Sequence, residues 1–230
     1  SKKSPKGSVC IWPEWSYLVT FSKAFDYLKS EARLPASRKQ SWILGCIDKD
    51  KAGNQFNSVC AMDREKGLIP TPYHKRYLVP FGEFTPDWVR QTPLAPILYG
   101  FNKNYDEATA DKATVVFPLT DIHVGPLLCF ECLMPGLSVD NVRNGAGLLV
   151  DCSNTGWFEK SILSDQMVAF CVMRAAENHR SLVFATTLGP STIIDSTGRI
   201  VRQAPREEAA IITADVPIEE DITPYTRYCF

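Results

Sequence analysis

A thiol, a proton acceptor and a cation can together carry acyl transfer, and three segments of this sequence place them at or beside the ends of apolar runs. In Gly125-Pro126-Leu127-Leu128-Cys129-Phe130-Glu131-Cys132 an apolar run ends in a cysteine and then meets a Pro-Gly turn at Pro135-Gly136. That puts Cys129 at the carboxyl edge of a strand, where α/β sheets form crevices open to substrate. Glu14 follows Cys10-Ile11-Trp12-Pro13, again past a buried run, where desolvation lifts a carboxyl pKa toward the working range of a general base. Tyr73-His74-Lys75-Arg76-Tyr77-Leu78-Val79-Pro80-Phe81-Gly82-Glu83 offers a Lys or Arg able to donate to a developing oxyanion, with Glu83 available to hold that cation and keep it charged.

Each feature alone has a plainer reading. A cysteine in an apolar strand usually packs as a small hydrophobe, a Glu beyond a strand end is usually exposed, and a basic-aromatic patch is usually a solvated face. Cys129 and Cys132 also form a C-x-x-C, but structural zinc needs four ligands and no second C-x-x-C or paired histidines supply the rest. Thioredoxin-like use needs low-pKa thiols at a helix start, whereas Glu131 between the sulfurs raises their pKa. A Cys-His pair stays open with His74, His123 or His179, although His123 falls at a strand start and His179 at a helix end.

Strand-like runs recur at Ser8 to Trp12, Trp42 to Ile47, Ser58 to Met62, Thr114 to Phe117, Gly125 to Phe130, Gly147 to Cys152, Leu182 to Thr186, Thr192 to Asp195 and Ala209 to Ala214. Several are almost continuously apolar, as expected of strands covered on both faces. Val168, Cys171, Val172, Ala175 and Ala176 within Ser164 to His179 share one helical stripe, and Phe21, Phe25 and Leu28 do the same within Val19 to Ala32. A further helix is predicted from Met134-Pro135-Gly136 to the Arg143-Asn144-Gly145 turn. Strands alternating with helices make this an α/β chain. Thr85 to Lys112, broken by Pro86, Pro93 and Pro96 yet carrying Trp88, Leu98 and Phe101, reads as a long apolar loop that either caps the core or contacts substrate or membrane.

Size and composition set the outer bounds. The 230 residues suit one sizeable α/β core, and a net charge of -1 gives no reason to expect a nucleic-acid partner. No apolar run approaches the ~20 residues of a membrane-spanning helix, and Lys2, Lys3 and Lys6 followed by Cys10-Ile11-Trp12-Pro13-Glu14 do not read as a signal peptide, so any targeting segment is expected outside these residues. Most of the eight cysteines lie in apolar runs and are expected to be reduced core residues.

Pro13-Glu14 after one strand, Lys75 eight residues before Glu83, and Cys129-Phe130-Glu131 after another strand resemble the carbon-nitrogen hydrolase (nitrilase) superfamily and its Glu-Lys-Cys triad. Within it, the segment 73–83, Ser153-Asn154-Thr155-Gly156-Trp157-Phe158, Met173-Arg174-Ala175-Ala176-Glu177-Asn178 and Thr223-Pro224-Tyr225-Thr226-Arg227-Tyr228 are similar to the apolipoprotein N-acyltransferase family. The resemblance implies an α-β-β-α sandwich with Glu14 as general base, Lys75 as oxyanion donor, Cys129 as nucleophile, and Glu83 and Glu131 in support. It implies a phospholipid acyl donor, an apolipoprotein acceptor, no metal or cofactor, and an inner-membrane enzyme whose catalytic domain faces the periplasm. It further implies that residues 1–230 are one catalytic domain lacking a first strand and helix and upstream membrane helices; the apolar Thr85 to Lys112 loop is the candidate for admitting acyl chains. A soluble amidase with the same triad, or a silent binding relative, is the alternative. Phe130 stands where the family commonly has Tyr, and Thr187-Leu188-Gly189-Pro190 replaces a more usual Thr-Asn-x-Gly.

Overall fold

Apolar runs that must be covered on both faces are sorted by this chain into two sheets. The computed structural model describes residues 8–15, 40–92, 107–158 and 161–229, with the side chains of 157 and 158 left aside. The first sheet holds β1 (Val9–Ile11), β2 (Ser41–Lys49), β3 (Gln55–Asp63), β4 (Gly67–Leu68) and β5 (Tyr73–His74). β1 runs parallel to β2, and the β2–β3 hairpin turns at Gly53, whose φ of 89° suits glycine. Both β4 and β5 pair with β3. The second sheet runs β11 (Ile200–Gln203), β10 (Thr192–Ile194), β9 (Ser181–Thr186), β8 (Leu148–Ser153), β7 (His123–Leu128), β6 (Phe117–Pro118), with β7, β8 and β9 mutually parallel.

The period-2 alternation of strands then builds the layers. Ile43, Val59 and Ala61 from the first sheet meet Val124, Leu128, Val150 and Cys152 from the second in one buried core. On the opposite face of the second sheet, Leu149, Leu182 and Phe184 pack with Val142 of α2 (Pro135–Arg143) and with Met167, Val168, Cys171 and Ala175 of α3 (Leu163–Asn178). Each fully buried leucine here contributes about 1.5–3 kcal/mol. Trp42, Leu44, Cys46 and Cys60 form a third buried cluster on the outer face of the first sheet. The result is the expected α/β sandwich, two sheets face to face with α2 and α3 over the second. A short terminal helix, Pro224–Tyr228, is capped by Thr223 and locked to α3 by a 2.9 Å bond from Thr226 Oγ1 to Asn178 Oδ1.

Several sequence expectations are corrected. The run Gly125 to Phe130 is strand only to Leu128, and Cys129 opens a 3-10 turn (Cys129–Leu133). Thr114 to Phe117 shrinks to Phe117–Pro118. Ala209 to Ala214 forms no strand, because its alternation finds no neighbouring strand to pair with and leaves Ile211 96% exposed. The Pro-rich loop contains a helical turn, α1 (Asp87–Arg90), started by Pro86, and a bridge from Ala108 to Gln55. The predicted helix Val19 to Ala32, and Leu98 and Phe101 of the loop, lie outside the described residues. Among the described residues, no helix is long and apolar enough to cross a membrane.

Candidate active site

The sandwich delivers the three singled-out groups from different strand ends. Glu14 follows β1, whose chain stays on the sheet through a 2.9 Å bond from Trp12 N to Ile43 O. Its backbone then passes directly over β2 at Gly45, where a Cβ would stand 2.6 Å from Glu14 Cα, so only glycine leaves room. Lys75 follows β5 and is tied by its N–H to Asn57 O at 2.8 Å. Cys129 follows β7 with φ 54°, a left-handed conformation that non-glycine residues adopt only when the surroundings impose it.

Two carboxylates impose it. Asp151 Oδ1 accepts from Cys129 N at 2.9 Å and from Ser153 Oγ at 2.8 Å. Glu131 Oε2 accepts from Leu128 N at 2.9 Å, so the ladder N–H groups at this strand end are taken by side chains and the strand stops. The same Glu131 accepts from Tyr73 Oη at 2.7 Å, Arg76 N at 2.6 Å and Tyr77 N at 3.0 Å. It therefore clamps the turn bearing Cys129 to the segment bearing Lys75.

Around Lys75 the partners are charged. Lys75 Nζ stands 2.8 Å from Glu83 Oε1 and 3.8 Å from Glu14 Oε1. Asn57 Nδ2 bridges the same two carboxylates, donating at 2.6 Å to Glu14 Oε1 and at 2.8 Å to Glu83 Oε1. Glu14 Oε2 accepts from Asn154 N at 2.8 Å, and Glu83 Oε2 from Val79 N at 2.8 Å.

Exposures of 3% for Glu14, 1% for Lys75 and 5% for Cys129 make burial the dominant influence on all three. Burial raises Glu14 above the ordinary carboxyl range, against the pull of the Lys75 charge and the Asn57 bond. Burial also works against the Lys75 ammonium, but Glu14, Cys129 and Glu83 outweigh it and hold Lys75 above its usual value. The Cys129 thiol is pushed well up by burial and by the Glu14 charge, with Lys75 opposing. A protonated thiol facing a raised carboxylate and a permanent cation is an arrangement that can form a thiolate during attack and receive the oxyanion that results.

Sequence reasoning brought Glu14, Lys75, Glu83, Cys129 and Glu131 to one place, and the structure does bring them together. Phe130 is half-buried in the 3-10 turn, and Trp88 lies exposed on α1, edge-on to Phe81 at 6.4 Å. The largest influences on the two C-x-x-C thiols are burial and the Glu14 charge at Cys129, and the hydrogen bond with Cys171 together with burial at Cys132. All eight cysteines are free and six are buried, as expected of core residues. The histidines are placed elsewhere: His74 between Asp48 and Asp111 at 3.1 Å each, His179 against Asp221 at 3.1 Å, and His123 exposed at the start of β7. Asn57, Asn154 and Asp151 were missed. Asp151 carried a signal, an acidic residue inside an apolar strand, and burial pushes it up to about 8.

The carbon-nitrogen hydrolase family model matches residues 8–223. Curated relatives include the apolipoprotein N-acyltransferases of Photobacterium profundum, 28% identical over 226 residues covering 95% of this chain and 43% of that protein, and of Verminephrobacter eiseniae, 31% identical over 199 residues covering 83% and 35%. The chain thus spans less than half the length of these relatives. Among solved structures, a carbon-nitrogen hydrolase from Helicobacter pylori superposes with a TM-score of 0.63 at 16% identity, covering 87% of this chain and 74% of the other. A variant amidase from Nesterenkonia, carrying the acetamide moiety of fluoroacetamide on its active-site cysteine, gives 0.60 at 14% identity over 87% and 74%. With the sandwich, the buried carboxylate-lysine network and a family match over nearly its whole length, this chain belongs to the carbon-nitrogen hydrolase family.

Proposed function

We propose that this chain is the catalytic domain of an N-acyltransferase that moves a fatty acyl chain from a phospholipid, through a thioester on Cys129, to the diacylglyceryl-cysteine amine of an apolipoprotein. The similarity to apolipoprotein N-acyltransferases over 95% of the chain carries this reading. Glu14 takes the thiol proton as Cys129 Sγ bonds to the ester carbonyl carbon, and Lys75 donates to the oxyanion. Collapse breaks the ester C–O bond, and the lysophospholipid leaves with the proton from Glu14. The acceptor amine then bonds to the thioester carbonyl, the C–S bond breaks, and the amine proton returns through Glu14 to sulfur. Glu83 and Asn57 keep Lys75 and Glu14 in place throughout.

Tyr77, Phe81 and Trp88 are large, exposed and clustered along the segment that ends in Glu83 and α1, which supports an apolar substrate arriving at this edge. On this reading the domain works at the inner membrane and faces the periplasm. The test is intact-protein mass spectrometry after incubation with phosphatidylethanolamine, wild type against Cys129→Ala. A fatty-acyl adduct on the wild type alone, discharged by a diacylglyceryl peptide, is the expected result. No adduct from lipid, with turnover of small amides instead, would make the enzyme a hydrolase using water as acceptor.

A further inference from the structure

Behind the nucleophile, on the helix-covered face of the second sheet, three ligand-bearing side chains meet that the acyl-transfer scheme does not use as ligands. Cys132 comes from the 3-10 turn, Asp151 from the centre of β8 and Cys171 from α3. One ligand atom from each lies within 4.8 Å of the others. All three residues are 0% exposed. Asp151 Oδ1 is occupied by Cys129 N and Ser153 Oγ, but Oδ2 is buried with no hydrogen-bond partner among the described residues. A buried carboxylate oxygen without a partner is costly, and in native proteins it signals a water or an ion.

We propose that Cys132, Asp151 and Cys171 form a binding site for a thiophilic d10 cation, with zinc as the ion that fits. Two sulfurs and one carboxylate oxygen match zinc's borderline-soft preference, and tetrahedral zinc holds such ligands on the order of 3.5–3.8 Å apart. Binding is balanced by release of the ligand protons: one Zn2+, two thiols and one carboxyl group give two Zn–S bonds, one Zn–O bond and 3 H+. The complex then carries one net negative charge. The buried Arg174 guanidinium lies beside it, donating to Cys132 O at 3.5 Å and paired with Glu177 at 2.7 Å. The C-x-x-C motif therefore does contribute a ligand, but through its second cysteine, with a partner 39 residues further on that only the packing of α3 against the turn supplies.

With three protein ligands, the fourth tetrahedral position would be held by a water, and the ion's role would be structural. Zinc on Oδ2 would fix the same carboxylate whose Oδ1 holds the Cys129 N–H, and so would brace the left-handed turn that presents the nucleophile.

Because all three ligands are buried, untagged protein is expressed in zinc- or cobalt-supplemented medium and desalted before measurement. Plasma mass spectrometry is expected to give one zinc per chain for wild type and for Cys129→Ala, and almost none for Cys171→Ser. The cobalt form is expected to show thiolate-to-cobalt charge-transfer absorption that survives in Cys129→Ala, a comparison that does not depend on how well Cys171→Ser folds. Metal well below one per chain in wild type, a cobalt–thiolate band lost with Cys129→Ala, or a mass two units low from a Cys132–Cys171 disulfide would each overturn the assignment. None of these readouts uses acyl transfer, so their failure is separate from failure of the proposed reaction.

Discussion

The two halves of the site are built on opposite principles. The half from the first sheet, Glu14, Asn57, Lys75 and Glu83, is an ion network in which one ammonium is shared by two carboxylates within 3.8 Å. The half from the second sheet, Cys129 with Glu131 and Asp151, has carboxylates too, yet their hydrogen-bond donors are backbone N–H and hydroxyl groups. Glu83 and Glu131 make the contrast sharp: the first takes the Lys75 charge, the second takes four neutral donors from two segments. One half supplies charge for the chemistry and the other supplies shape for the nucleophile. Substitutions in the first half should therefore act on rate and pH response as well as on stability, and those in the second mainly on stability and on where the thiol sits.

Lys75→Met is the largest expected break. It removes the oxyanion donor, a loss of about 10²–10³-fold in acylation rate. It also leaves Glu14 and Glu83 facing each other across Asn57 without a cation, and breaking a buried pair this way costs about 3–5 kcal/mol. Single-turnover acylation and urea unfolding would measure the two effects. A Lys75→Met protein that acylates Cys129 at the wild-type rate would remove the division between a charge half and a shape half.

Gly45→Ala asks whether the charge half also depends on shape. The added Cβ would lie 2.6 Å from Glu14 Cα and 2.8 Å from Trp15 N, so that backbone must shift. A misplacement of about 1 Å in a catalytic group can cost about 10²-fold. The expected result is a fall of that order in acylation rate, with overpacking costing about 1–3 kcal/mol of stability.

Glu131→Gln should separate stability from rate. The amide NH2 would face N–H donors where an oxygen now accepts, and each hydrogen bond to a charged acceptor lost costs about 1.5–3 kcal/mol. A stability loss of about 3 kcal/mol is expected by chemical unfolding, with the rate of acylation in the remaining folded protein reduced less than in Lys75→Met.

How much of this was legible in the sequence follows from the same physics. Strands covered on both faces show as apolar runs, so β2, β3, β8 and β9 could be placed, and α3 followed from its stripe of Val168, Cys171, Val172, Ala175 and Ala176. The two-residue strands β4, β5 and β6 carry too few residues for any period to show. The strand end at Leu128 was misplaced because it is decided by Glu131 and Asp151 side chains capturing N–H groups, 22 residues away in the second case. Glu14, Lys75 and Cys129 stood out as ionisable or nucleophilic groups beside buried runs. Asn57 did not, since a neutral amide at a strand position becomes informative only when β3 brings it between two carboxylates.

Asn57 provides the finest test of the division. Glu14 accepts a proton only when ionised, so the acylation rate should rise with pH through the pKa of Glu14, which burial sets above the ordinary 4.5. The 2.6 Å bond from Asn57 Nδ2 favours the ionised form and opposes that rise. Asn57→Leu removes the donor without adding charge, so the Glu14 carboxylate is less favoured and the acid limb of the pH–rate profile should move to higher pH. The plateau rate should change far less than in Lys75→Met, because Lys75 keeps its ion pair with Glu83. An acid limb that stays in place would mean that the Asn57 bond does not tune the protonation of Glu14. A limb that moves to lower pH would mean that Glu14 is not the base, since removing a donor to a carboxylate cannot make its ionised form more stable.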